Sequence, residues 1–75
     1  MNTKLAAVFR QLFDVAELRP DLSPENVEKW DSFSHIELVL ELEKAFGLSI
    51  PASEAVTLNS VQKIIEYLDA KRVPK

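Results

Sequence analysis

Apolar residues recur at helical spacing near the start of the chain. One face of this segment is apolar and the other is charged; the apolar positions are Leu5, Val8, Phe9, Leu12 and Ala16. This pattern predicts an amphipathic helix. Pro20 is expected to end it, because the residue before a proline is disfavoured in the helical conformation.

A loop and a second helix are expected next. Residues 20–31 combine two prolines with Asp, Ser and Asn, a composition typical of a loop. A loop of this length in a small domain often carries function. The second helix is predicted from Ser32, acting as its N-cap, to Phe46, with Gly47 as its C-terminal stop.

The last part of the chain predicts two shorter elements. Ile50-Pro51 is expected to be extended, and Ser53 to cap a short turn over residues 54–57. A final helix should begin near Ser60 and bury Val61, Ile64, Ile65 and Leu68. Its C-terminal end carries basic residues that suit the helix dipole, namely Lys71, Arg72 and Lys75. With no convincing strand, we expect an all-α four-helix bundle with a long first loop and a short third helix, formed by residues 1–75 as one domain.

The second predicted helix has two apolar faces. One face is expected to lie against the core and consists of Leu38, Val39, Leu42, Ala45 and Phe46. The other, formed by Phe33, Ile36 and Leu40 at spacing i, i+3, i+7, lies among charged residues. Single exposed apolar residues are common, so this second face is either incidental or a partner-docking surface with an acidic rim.

Composition excludes several classes of function. The chain of 75 residues has no cysteine, one histidine and one glycine, which excludes disulfides, thiolate metal sites and glycine-rich phosphate loops. No metal site is expected.

Residues 21–54 hold eight acidic and two basic residues, a net charge of −6, which disfavours nucleic acid as a partner and favours basic protein surfaces. The chain shows no signal peptide and no membrane-spanning run, so we expect a cytoplasmic protein.

Three side chains near the start of the second helix require separate consideration. Ser32 is an ordinary N-cap, but a hydroxyl at the positive end of a helix dipole also suits a phosphodiester anchor. Trp30 is expected to be a core anchor that seals the loop. His35 is expected to be packed or hydrogen-bonded, and neutral. A Ser32–His35 nucleophile–base pair lacks an orienting third group, so we expect no catalytic residues and no enzyme.

The order of motifs from Trp30 to Pro51 resembles the acyl carrier proteins. Asp31-Ser32-Phe33 opens a helix with a Glu-rich run, which leads to Phe46-Gly47 and Ile50-Pro51. Glu54-Ala55 and Leu58-Asn59-Ser60-Val61 follow in the order typical of that family. The resemblance covers essentially the whole chain.

The resemblance implies a single carrier domain that acts as a monomer. Ser32 would receive 4'-phosphopantetheine from coenzyme A through a phosphopantetheinyl transferase, and the thiol of the arm would hold acyl groups as thioesters. Partners would be that transferase and the loading and transferring enzymes, through basic docking surfaces. The candidate docking residues are Asp31, Phe33, Ile36, Glu37, Leu40, Glu41 and Glu43.

Several positions depart from the family pattern. Phe33 replaces the usual Leu, Ser34 replaces a common acid, and Lys44-Ala45 interrupts the acidic run. The resemblance is to carriers of fatty acid or secondary metabolite biosynthesis, and these departures favour a free-standing carrier of a specialised pathway over the housekeeping fatty-acid carrier. An aminoacyl or peptidyl carrier, such as a D-alanyl carrier, and an unmodified interaction module on the same bundle remain as alternatives.

Overall fold

The computed structural model describes residues 3–73 of the 75. Helix α1 spans Thr3–Phe13, α2 spans Ser32–Phe46, α3 spans Ala52–Ala55 and α4 spans Val61–Ala70. No strand occurs within the described residues, so the prediction of an all-α fold with a short third helix is confirmed. None of the helices in this part of the chain is long and apolar enough to cross a membrane.

Helix α1 is shorter than predicted. It ends at Phe13 and not near Pro20, because Asp14 adopts a left-handed conformation with φ 56°. The Asp14 N–H still bonds the Arg10 carbonyl at 3.1 Å, and aspartate tolerates this region better than most residues. Ala16, which was expected on the apolar face of this helix, therefore lies outside the helix and is exposed, so that expectation was wrong.

The first loop is correspondingly longer than predicted and is well anchored. Its apolar residues are buried; they are Leu22, Val27 and Trp30. Two loop carbonyls also accept hydrogen bonds from the start of α4: Leu22 from the Val61 N–H at 2.9 Å and Pro20 from the Gln62 N–H at 3.1 Å. Trp30 is only 1% exposed, which confirms its prediction as a core anchor.

Helix α2 has the predicted bounds. Gly47 adopts the left-handed conformation with φ 63°, and its N–H bonds the Glu43 carbonyl, as at many helix C-termini. Leu38, Leu42 and Phe46 are buried in the core, while Val39 and Ala45 pack against it in part. Helix α1 lies against this face, so the predicted inner face of α2 is confirmed.

Helices α3 and α4 are held in different ways. Helix α3 buries none of its residues, and its N-cap is Pro51 with no side-chain hydrogen bond. Ser53 lies within α3, so its prediction as a cap was wrong.

Helix α4 is capped by Ser60, whose hydroxyl accepts from the Lys63 N–H at 3.1 Å. It buries Val61, Ile64 and Leu68, with Ile65 partly buried; Lys71 and Arg72 follow the helix, whereas Lys75 lies outside the described residues.

Candidate functional site

Ser32 is the first residue of α2 and is exposed. The N-cap is Asp31, whose carboxylate accepts from the Ser34 N–H at 2.8 Å, while the Ser34 hydroxyl accepts from the Asp31 N–H at 2.9 Å. This reciprocal pair is a capping box. The prediction of Ser32 as the N-cap was therefore wrong by one residue, and the Ser32 hydroxyl has no capping task.

Asp31 is stabilised as a carboxylate. Hydrogen bonds from the backbone and then the side chain of Ser34 hold the pKa of Asp31 below its ordinary value of 3.8. A negative charge next to the first turn of a helix is favoured by the helix dipole. A charged group therefore lies beside Ser32 at neutral pH.

The second apolar face of α2 is exposed, as the sequence pattern predicted. Phe33 is 76% exposed, Ile36 62% and Leu40 58%. Val56, directly after α3, is 69% exposed and extends this apolar surface, although the sequence analysis did not single it out. In the sequence, the sign of this exposure is that Val56 is an apolar residue in the predicted turn and belongs to the apolar face of no predicted helix.

The three candidate acids on α2 have different surroundings. Glu37 is exposed. Glu41 lies 3.8 Å from the ammonium group of Lys44, one helical turn away. The Glu43 carboxylate is half-buried and accepts a hydrogen bond from the Ile50 N–H at 2.8 Å. The charge of Glu37 is therefore in direct contact with solvent. Glu43, in contrast, also stabilises the segment before α3 through its hydrogen bond with the Ile50 N–H.

An apolar groove runs between α2 and the α3 region, starting beside Ser32. Its first part has a volume of about 470 Å³ and is lined by Pro24, Asp31, Ser32, His35, Ile36, Val56 and Asn59. The adjoining part, of about 340 Å³, extends along α2 and is lined by His35, Ile36, Val39, Leu40, Glu43, Ile50, Ala52, Ala55 and Val56. Three residues are common to both parts, so the two form one continuous groove.

His35 forms the inner wall of this groove and is fully hydrogen-bonded. Its Nδ1 accepts from the Trp30 indole N–H at 3.0 Å, and its Nε2 lies 2.9 Å from the Ala55 carbonyl. An indole nitrogen only donates and a carbonyl only accepts, so the ring is neutral and carries its proton on Nε2. The expectation of a packed, neutral histidine holds, and neither nitrogen is available as a base for Ser32.

These residues fit a phosphopantetheine arm. Its phosphodiester needs an accessible hydroxyl, and Ser32 supplies one at a helix N-terminus, where an anion is favoured. The arm and its cargo need an adjacent surface with apolar side chains and few charges, which the groove provides.

Such a site on a small helical bundle defines a carrier of a phosphopantetheine-bound group. A family model described as a phosphopantetheine attachment site matches residues 3–68. The acyl carrier protein of Rubrobacter xylanophilus is 36% identical over 55 residues, which cover 73% of this chain and 68% of that protein. The acyl carrier protein of Lactobacillus johnsonii is 33% identical over 67 residues, covering 87% and 84% respectively. The chain belongs to the acyl carrier protein family, which confirms the resemblance, the acyl carrier function and 4'-phosphopantetheine as its prosthetic group.

Proposed function

We propose that Ser32 is the residue of this acyl carrier to which 4'-phosphopantetheine is attached. The observation that carries the proposal is the position of its hydroxyl: exposed, relieved of capping by Asp31 and Ser34, and at the entrance of the α2–α3 groove. Serines 23, 34, 49, 53 and 60 are the others in the chain, and Ser34 and Ser60 are occupied in caps.

The chain's own contribution to the modification is an oriented nucleophile. The Ser32 oxygen takes the place of the nucleotide leaving group on a phosphorus of coenzyme A, and the serine loses its proton. Since both nitrogens of His35 are bound within the protein, the base that accepts this proton belongs to the transferase. The thiol of the attached arm supplies the thioester chemistry, and the chain serves as a carrier, with the catalysis in its partners.

The partners should be enzymes with basic surfaces that contact α2. Phe33, Ile36 and Leu40 form an apolar centre, with the exposed carboxylate of Glu37 beside it. Interfaces with an apolar centre and a charged rim gain affinity from the centre, and speed and selectivity from the rim. Asp31, Glu41 and Glu43 complete the proposed docking surface. The phosphopantetheinyl transferase and the enzymes that load and unload the acyl group would share this surface.

Intact-mass measurement tests the attachment site. The protein is incubated with coenzyme A and a phosphopantetheinyl transferase of broad specificity. Wild type and the matched control Ser53→Ala should gain the mass of one phosphopantetheine group, and Ser32→Ala should gain none. A mass gain that survives Ser32→Ala would overturn the assignment, and no gain in any variant would favour an unmodified interaction module.

A further inference from the structure

Three planar rings lie in a row behind the groove. The imidazole of His35 is parallel to the indole of Trp30 within 10°, with ring centroids 6.1 Å apart. The indole is in turn stacked on the Phe13 ring at 5.5 Å and 16°. Phe9 packs edge-on against the same indole at 5.3 Å. Behind His35, the core between the groove and Phe13 of α1 is therefore occupied by aromatic rings.

Hydrogen bonds fix this row of rings to two helices. The indole of Trp30 donates to His35, and His35 donates to the Ala55 carbonyl in α3, twenty residues further along the chain. His35 thus joins the first loop, α2 and α3 through one side chain. Any group that moved from the groove towards the core at this point would have to break both hydrogen bonds.

The far end of the groove is held by a second polar contact. Glu43 accepts from the Ile50 N–H just before α3, two helical turns from His35 on α2. The phenol of Tyr67 in α4 donates to Glu54 in α3 from the other side. Since α3 buries none of its own residues, these contacts set the distance between α3 and α2.

We infer that the stack of His35, Trp30 and Phe13 keeps the acyl cargo in the surface groove and out of the core, so that this carrier is suited to short acyl groups. The inference rests on the proposed attachment at Ser32. His35 acts here as a specificity-determining residue for cargo length.

The groove is suited to short cargo because it shelters only one side of a chain. Ile36, Leu40 and Val56 are more than half exposed, so a group between them remains in contact with water. A short acyl group gains contact with Ile36, Val39 and Val56. Further methylenes keep one side in contact with water and gain little, because burial is favourable only where water is removed from both surfaces.

Melting of a series of acyl forms tests the inference. Acetyl, hexanoyl and dodecanoyl forms are prepared from the corresponding acyl-coenzyme A compounds, and loading is verified by intact mass. In wild type, the melting temperature should differ by less than about 2 °C across the series. The emission of Trp30, the one tryptophan of the chain, should not depend on cargo length. A stepwise rise of about 4 °C or more, with a shift in Trp30 emission, would overturn the inference.

Substitution at His35 tests the barrier itself. His35→Ala should melt lower than wild type without cargo but should gain stability from the hexanoyl and dodecanoyl groups. His35→Asn, which retains a donor and an acceptor on a smaller side chain, serves the same purpose if His35→Ala does not fold. The matched control is Leu12→Ala, which removes a partly buried apolar side chain away from the groove and should keep the flat response.

The outcomes separate this inference from the proposed attachment site. If Ser32 is not modified, the mass measurement shows it before any melting is measured. If Ser32 is loaded and both His35 variants remain insensitive to cargo length, the ring stack is not what excludes the cargo from the core.

Discussion

Asp31 and Ser34 cap helix α2 reciprocally, each side chain accepting the other's backbone N–H. The Ser34 hydroxyl also donates to the Lys29 carbonyl, which ties the cap to the end of the first loop. Ser32, which with Phe33 lies between them in the sequence, is consequently held in position without contributing its own hydroxyl. The rigidity of the proposed attachment site and the availability of its hydroxyl thus come from different residues.

This division of roles predicts the stability effects of three substitutions. Asp31→Ala should lower the free energy of unfolding by about 1 kcal/mol, because an N-cap acceptor is lost. Ser32→Ala should change it by less than about 0.5 kcal/mol, as at an ordinary exposed position. Asp31→Asn should also stay within about 0.5 kcal/mol, because asparagine caps as well as aspartate. Urea denaturation measures all three; a cost for Ser32→Ala equal to that of Asp31→Ala would contradict the cap assignment.

The lowered pKa of Asp31 predicts acid sensitivity. Because hydrogen bonds from Ser34 hold the folded-state pKa below 3.8, the stabilisation is present above that value and is lost as the pH falls through the folded-state pKa. Wild type should therefore lose melting temperature more steeply than Asp31→Asn between about pH 5 and about pH 2. Parallel curves for the two proteins would show that the carboxylate is not held in its charged form.

Tyr67 predicts the opposite behaviour at high pH. Burial first, and then the hydrogen bond to Glu54, raise the pKa of Tyr67 from 10.0 to about 12. This stabilisation is complete below the unfolded-state value of 10.0 and is lost as the pH rises through the folded-state value. Wild type should lose stability over that range, whereas Tyr67→Phe should not. Since the chain has one tyrosine, tyrosinate absorbance reports its titration directly, and a midpoint near 10.0 in the folded protein would contradict the contact.

The bounds of α2 were predictable because both of its ends are encoded locally. Asp31-Ser32 at the start of the helix and Gly47 after its end are short-range signals that need no tertiary context. Ser32 was predicted as the cap, whereas Asp31 is the cap in the structure, although aspartate and serine are both good N-cap residues. The choice between them depends on the Ser34 side chain, whose hydroxyl returns the hydrogen bond to Asp31.

The end of α1 and the ring stack depend on contacts between distant residues. Phe13 meets Trp30, seventeen positions later, and the chain turns at Asp14 to permit this packing. Phe9, Phe13 and Trp30 are all in contact, although no helical periodicity links Trp30 of the first loop to α1. His35 was predicted to be hydrogen-bonded, but its partners lie five residues before it and twenty after it, which no local pattern reveals.

Gly47 predicts a purely conformational cost of substitution. Its φ of +63° favours glycine, while a Cβ built at this position would meet no atom within 4 Å. Gly47→Ala should therefore lower the free energy of unfolding by about 1 kcal/mol through backbone strain alone. Gly47→Asn should cost less, because asparagine tolerates the left-handed region. Thermal denaturation ranks the variants, and equal costs would indicate a steric cause that the structure does not show.

The proposed docking surface predicts an effect of charge on the rate of modification. Glu37 is exposed beside Ile36, so its carboxylate can attract a basic surface before contact is made. Glu37→Lys should lower kcat/KM for the transferase about tenfold at low ionic strength. Glu43 is better tested by Glu43→Gln, which removes the charge but keeps an oxygen that can accept from the Ile50 N–H.

Two controls test this charge effect: added salt, and the same charge reversal at a position outside α2. Added salt screens exposed charges, so the difference between Glu37→Lys and wild type should shrink as ionic strength rises. Glu66→Lys makes the same charge change on the exposed surface of α4. It should leave kcat/KM nearly unchanged, because a local interface depends on where a charge lies and not only on the net charge of the protein. The initial rate of mass gain with coenzyme A measures each variant at low and high salt. If Glu66→Lys slows modification as much as Glu37→Lys, the acidic character of the whole chain drives the encounter, and α2 is not the docking surface.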